Sequence, residues 1–399
     1  PSPLPPALLP LAAAPGAVAD ELEPIRAIVE GRAAAGGPWT DAPTEARVGD
    51  GAELAVVVEA REGRRRTRVF VVDDAVSPLE IGGRAVAEEA RRSWDALGAT
   101  AVRWSHVEPH AWRAEGETSP NGTTTAFYTN VVCGGPDHGQ WLGWDRVTYF
   151  ATPIGDWSDD AAARRRPATA NPPRAEDDVW HGLGTMRYQV EVRLDEADGE
   201  ILASPGTDET DSYGIKPSVH RVSIRLDDTY RGWLSSYFLV PEIFGSAGPR
   251  ESHQTERFVG ADCADVLVGA LHAGGHDGVP YTSVSALGSY ATTVAGPAAL
   301  DEDGAPVDGV IDGVEPGDII RIDYGGVYAD ATPRSWDHVA VLYEDRSDPD
   351  GPDEGRADGN LDGFDLVAHM GHPQVKVEPL AGQCPMRLDV LRWDPDRID

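Results

Sequence analysis

Cys263 lies in Phe258-Val259-Gly260-Ala261-Asp262-Cys263-Ala264-Asp265-Val266-Leu267-Val268-Gly269-Ala270-Leu271-His272-Ala273-Gly274-Gly275, which reads as one complete helix with its own punctuation. Asp262 can cap the start. Val266, Leu267, Ala270 and Leu271 share an apolar face, and Gly274-Gly275 can stop the helix. The thiol then sits in the first turn, where orphan backbone N–H groups and the positive end of the helix dipole favour thiolate. The same N–H groups can hold the oxyanion formed when a thiolate attacks a carbonyl. The plainer reading is a structural cysteine that packs the helix start.

A thiol nucleophile needs a base of near-neutral pKa, and histidine is the usual one. Downstream, Glu315-Pro316-Gly317-Asp318 leads into the strand-like Ile319-Ile320-Arg321-Ile322-Asp323. Ser335-Trp336-Asp337-His338-Val339-Ala340-Val341-Leu342-Tyr343 follows, with His338 at the head of an apolar run. A third strand, Phe364-Asp365-Leu366-Val367-Ala368-His369-Met370, offers His369 as the residue that orients the imidazole of His338, with His372 as its competitor. Any one of these histidines is more often a surface or core residue, so the argument rests on the constellation.

In order, these motifs resemble the NlpC-type cysteine peptidases that cut bacterial cell-wall peptides, together with the related CHAP amidases. The matching residues are Pro241-Glu242-Ile243-Phe244-Gly245-Ser246, Asp262-Cys263-Ala264-Asp265, Pro316-Gly317-Asp318, His338-Val339-Ala340-Val341-Leu342 and Ala368-His369, over about 230–395. The resemblance implies Cys263 as nucleophile, His338 as general base and later acid, and His369 as orienting residue, in a Cys-His-His triad working through an acyl-enzyme thioester. It also implies a substrate site near Glu242, Asp262 and Asp337, with Tyr237 standing in for the family's tyrosine. Two departures bear on specificity: Glu242 replaces that tyrosine, and Ala264-Asp265 replaces Ser-Gly after the cysteine. The helix followed by Val279-Pro280-Tyr281 also looks like transglutaminase-like proteins, which use Cys, His and Asp. Acyl transfer is therefore one alternative, and a catalytically inactive binding or structural protein is the other.

No cofactor is required by this chemistry. The acidic insert between the two histidine strands holds Asp358-Gly359-Asn360-Leu361-Asp362-Gly363, which repeats the opening of a calcium loop. Asp358, Asn360 and Asp362 are thus candidate ligands of a structural calcium ion, although the twelfth position is His369 instead of glutamate and a solvated acidic loop explains the run as well. Cys133-x4-His138 and His369-x2-His372 lack the paired spacing of a zinc site. With Cys263 reserved for chemistry, Cys133 and Cys384 are left either as a disulfide or as two free thiols.

The whole chain must position these residues. Its 399 residues carry 34 Lys+Arg against 67 Asp+Glu, a net charge of −33 that disfavours a nucleic-acid face. No apolar run is long enough to span a bilayer. The only lysines are Lys216 and Lys376, so nearly all positive charge is arginine. Leu4 to Ala19 is an apolar Ala/Pro-rich stretch ending Ala17-Val18-Ala19, the small-x-small shape of a signal-peptidase site, and export is expected. Three regions follow: a linker or arm over 1–45 with one helix at Glu21 to Ala35, a β-rich accessory region over 46–228, and the hydrolase over 229–399. Within the second, Leu54 to Glu59, Val69 to Asp73, Ala99 to Val107 and Met186 to Leu194 read as strands, Arg84 to Leu97 as a helix, and 118–185 as long loops. The expected fold class is α+β, with a papain-like C-terminal domain whose Cys-bearing helix packs on an antiparallel sheet. The expected substrate is a peptidoglycan stem peptide or another peptide amide. Oligomeric state is not legible.

Overall fold

The computed structural model describes residues 22–113, 124–128, 141–170, 182–195, 199–243, 245–247, 254–299, 311–324, 336–371, 373–383 and 387–399. The arm's first 21 residues, Cys133, His138, His372 and Cys384 lie outside them, and with them the export, disulfide and zinc readings.

Leu22–Arg32 (β1) pairs antiparallel with Glu53–Glu62 (β2), which pairs with Thr67–Val72 (β3); short strands extend this into an eight-stranded sheet. A second, seven-stranded sheet is built on Thr100–Arg113 (β4), Trp141–Pro153 (β5), Gly184–Leu194 (β6) and His220–Arg225 (β7). The sheets share a core in which Val56, Val58, Val69 and Val71 join Val102, Trp104, Tyr188 and Val190. Alternating apolar residues explain this, since each strand presents every second side chain to the same face. The other face of the first sheet packs Ile28, Trp39, Ala55, Val57 and Phe70. Glu30 lies on that same side of β1, opposite Ala55 in register, fully buried and with neither carboxylate oxygen hydrogen bonded. Burial, with a smaller contribution from Asp41, raises its pKa from 4.5 to about 9.

After Tyr230–Ser235 (α1) and Cys263–Ala273 (α2) comes a six-stranded sheet. Its strands are Ala291–Ala298 (β8), Ile319–Asp323 (β9), His338–Glu344 (β10), Leu366–Met370 (β11), Val375–Pro379 (β12) and Arg387–Trp393 (β13), in the spatial order β8-β13-β9-β10-β11-β12 with every neighbour antiparallel. Helix α2 packs on β10 and β11. Ile319, Val339, Val341, Ala368 and Met370 belong to the core on the helix side, and Ile320, Ile322, Ala340, Leu342 and Val367 to a separate core behind the sheet.

The fold class differs from the expectation. Strands account for 44 % of the chain and helices for 14 %, spread over several sheets, so the protein is mostly β and not an α+β papain-like molecule. The longest α-helix among the described residues is α2, with 11 residues. Two segments read as helical account for part of the difference. Glu21 to Ala35 contains β1, whose β-branched residues Ile28 and Val29 are buried on opposite faces, and Arg84 to Leu97 breaks into short strands and 3-10 turns. Long-range pairing overrode local propensity in both. No helix among the described residues is long and apolar enough to cross a membrane.

Candidate functional site

Asp262 caps α2 as its position suggests: its side chain accepts from Ala264 N at 3.1 Å and Asp265 N at 2.9 Å, and Gly274 closes the helix. Such a cap contributes about 1 kcal/mol. Asp262 also accepts from Gly245 N at 3.2 Å, and burial followed by the charge of Asp265 raises its pKa to about 7. Asp265 is buried too and takes bonds from Ser246 Oγ at 2.7 Å and Ala247 N at 2.8 Å. Its carboxyl therefore ties the preceding loop to the helix.

Cys263 is partly buried and reduced. Burial, then Asp262, Glu242 and Asp265, push its thiol well above the ordinary range, and the Ala264 N–H opposes them. Desolvation and three acids outweigh the helix dipole, so the resting thiol is protonated. Glu242 reaches this position through the backbone. It bridges to Ala261, two residues before the thiol, while its own N–H donates to Pro373 O at 2.9 Å, and Pro241 bridges to Gln374. Pro373 and Gln374 lie between β11 and β12. The head of α2 is thereby tied to the end of the sheet where β10 begins and β11 finishes, which is where His338 and His369 lie. Substituting Glu242 with glutamine removes one of the charges that oppose the thiolate and leaves the backbone bridges intact. Iodoacetamide labelling of Cys263 at pH 8, followed by mass spectrometry, is expected to quicken several-fold; an unchanged or slower rate would contradict the charge argument.

The two histidines meet. His338 Nε2 and His369 Nδ1 are 2.9 Å apart, with the rings nearly perpendicular. The register makes this so: Ile322 pairs with His338 and Ala340 with His369, which puts both imidazoles on the side of the sheet that carries Ile322 and Ala340. Burial, then the charge of His369, pushes His338 well below the ordinary histidine range. Helix α2 packs on the other side, and no hydrogen bond joins Cys263 Sγ to either imidazole among the described residues.

Three residues of this cluster were missed by sequence reasoning. Glu378 Oε1 is 3.3 Å from His369 Nε2, Gln383 Nε2 is 2.9 Å from the same nitrogen, and Gln383 also donates to Glu378. Tyr324 stacks on His338 with ring centroids 6.2 Å apart and donates to Gln383 Oε1 at 3.2 Å. The readable signal was the alternation Val375-Lys376-Val377-Glu378. It sets Lys376 opposite His369 and Glu378 diagonally from it on one face.

The remaining candidates are placed as follows. Asp337 Oδ2 accepts from Tyr324 N at 2.9 Å and so braces the tyrosine over His338. Tyr237 is buried and stacked on Phe258, with its hydroxyl so close to Gly269 that a Cβ there would collide. That is six residues, about 9 Å, along α2 from the thiol. It lines a different cavity of about 300 Å³, where Arg221 already pairs with Glu45, and His272 with Glu256. In the acidic insert, Asp358 accepts from Asn360 N at 2.8 Å, Asp362 from Phe364 N at 2.7 Å, and Asp345 from the N–H groups of Asp358 and Gly359. These carboxylates are engaged with their own loop, and no group of three or more candidate metal ligands is found among the described residues.

Comparison with protein families, with curated proteins and with solved structures finds no match to this chain.

Proposed function

We propose that the protein is a cysteine hydrolase that cleaves peptide amide bonds, with the stem peptides of the bacterial cell wall as substrate class and an exported location. The observation that carries this reading is the 2.9 Å bond between His338 and His369 at the sheet end to which the Cys263 helix is tied. The ordered motifs around Cys263, His338 and His369 support it as well. In the reaction proposed, the thiol proton passes to the free ring nitrogen of His338 as sulfur attacks the scissile carbonyl, a step that requires the imidazole to reach the sulfur from the opposite face of the sheet. Asp262 occupies the N–H groups of Ala264 and Asp265, so the Cys263 N–H is the first-turn donor for the oxyanion. The imidazolium returns its proton to the departing amine and leaves a thioester. Water, deprotonated by His338, then releases the acid and the free thiol.

The test is incubation of the protein and its Cys263→Ala variant with a panel of stem peptides, with new amines quantified. Amine release that vanishes in the variant supports the proposal, and equal release in both removes it. Glycine added at increasing concentration competes with water for the thioester, so the ratio of amide adduct to free acid measures acyl transfer against hydrolysis.

The raised thiol pKa and the absence, among the described residues, of a bond from Cys263 to either histidine favour a second reading, a non-catalytic binding protein. That reading expects stem peptides to bind without turnover, which titration calorimetry measures in the same samples.

A further inference from the structure

We infer that Glu378 sets the tautomers of both imidazoles, so that the bare nitrogen of His338 is Nδ1, the one left to act as a base. The inference rests on the hydrolase reading for its catalytic meaning, but the geometry behind it stands by itself. A neutral imidazole has one N–H and one lone pair, and across the 2.9 Å contact between His338 Nε2 and His369 Nδ1 one ring must donate. The other nitrogen of His369 decides which.

His369 Nε2 faces two groups of opposite character. Glu378 Oε1 at 3.3 Å only accepts, and Gln383 Nε2 at 2.9 Å only donates. If Nε2 carries the hydrogen, it donates to Glu378, Nδ1 of His369 accepts from His338 Nε2–H, and His338 Nδ1 is bare. If the amide donates to Nε2, every assignment reverses and His338 Nδ1 is blocked by its own hydrogen. The carboxylate prevails for two reasons. A charge-assisted bond is roughly twice as strong as a neutral one. Glu378 is held below the usual carboxylate range, chiefly by its bond from His369 and also by Lys376, so it is ionised at neutral pH. The Gln383 oxygen takes the Tyr324 hydroxyl, which fixes the amide with its NH2 group towards Glu378 and His369, and one of its two N–H groups is used on Glu378. Glu378 and Gln383 are therefore positioning residues acting through His369.

The experiment is long-range proton–nitrogen NMR on the full chain labelled with ¹⁵N-histidine at pH 7.5, where protonated and bare ring nitrogens resonate in separate regions. His338→Ala and His369→Ala spectra assign the signals. Wild type is expected to show His338 bare at Nδ1. Glu378→Leu leaves only the amide donor at His369 Nε2 and is expected to move the bare signal of His338 from Nδ1 to Nε2. Gln383→Leu is expected to keep the wild-type pattern, and with the wild-type spectrum it keeps the inference testable if Glu378→Leu does not fold. A wild-type His338 protonated at Nδ1, a His369 carrying both protons, or a folded Glu378→Leu with unchanged tautomers would overturn the inference. None of these readings needs turnover. Active enzyme with the wrong tautomers defeats this inference alone, and the expected tautomers without activity defeat the hydrolase reading alone.

Discussion

Replacing His338 with alanine is expected to slow amide hydrolysis by about 10²- to 10⁴-fold, the usual contribution of a positioned general base. Because His338 and His369 share one hydrogen bond and act as a unit, the double variant should be little worse than His338→Ala alone. The pH profile gives an independent check. Burial and the neighbouring imidazole keep His338 neutral to a lower pH than an ordinary histidine, so the acid limb of kcat/KM for wild type should lie below the usual histidine range near 6.5. Progress curves on a stem peptide from pH 4 to 9 measure both effects. A His338→Ala enzyme as fast as wild type would remove His338 from the chemistry.

The largest effect on stability should come from Glu30, far from that site. Its carboxyl pKa is raised to about 9 in the folded protein, against an ordinary value of 4.5, because burial among apolar side chains leaves the charged form without partners. A raised carboxyl pKa means that the folded state holds a proton that the unfolded chain releases. The stabilising contribution is therefore complete below about pH 4.5 and is lost as pH rises towards 9, at about 1.4 kcal/mol per pH unit. Between pH 5 and 8 this amounts to something on the order of 4 kcal/mol. Glu30→Gln cannot ionise, so its advantage over wild type in urea unfolding should widen steadily across that interval. Parallel curves for the two proteins would mean that Glu30 finds a partner or water in solution.

The individual elements were more legible in the sequence than the fold class they build. The Cys263 helix was legible from end to end because each of its signals is local: an aspartate that can cap, an apolar face of helical period, and a glycine pair. The strands of His338 and His369 were legible as short apolar runs bounded by Pro-Gly-Asp and by acidic turns. The first sheet was less so. In Glu21 to Ala35 the spacing of apolar residues suits a helix, and only pairing with β2, more than twenty residues away, makes Leu22–Arg32 a strand. Glu378, Gln383 and Tyr324 were hidden for a related reason. Each is unremarkable in its own segment, and only the antiparallel register gathers them around His369.

The backbone bridges of Glu242 to Ala261 and Pro373 separate two properties that are usually coupled. The location of the sulfur is held by main-chain hydrogen bonds that any residue except proline can make at 242, whereas the electrostatic environment of the sulfur depends on which side chain that residue carries. Position 242 is in effect a reactivity dial mounted on a fixed frame. Variation there can retune the thiol, or suit it to a differently charged substrate, without disturbing the alignment of the nucleophile, and an insertion or deletion beside it would do the reverse.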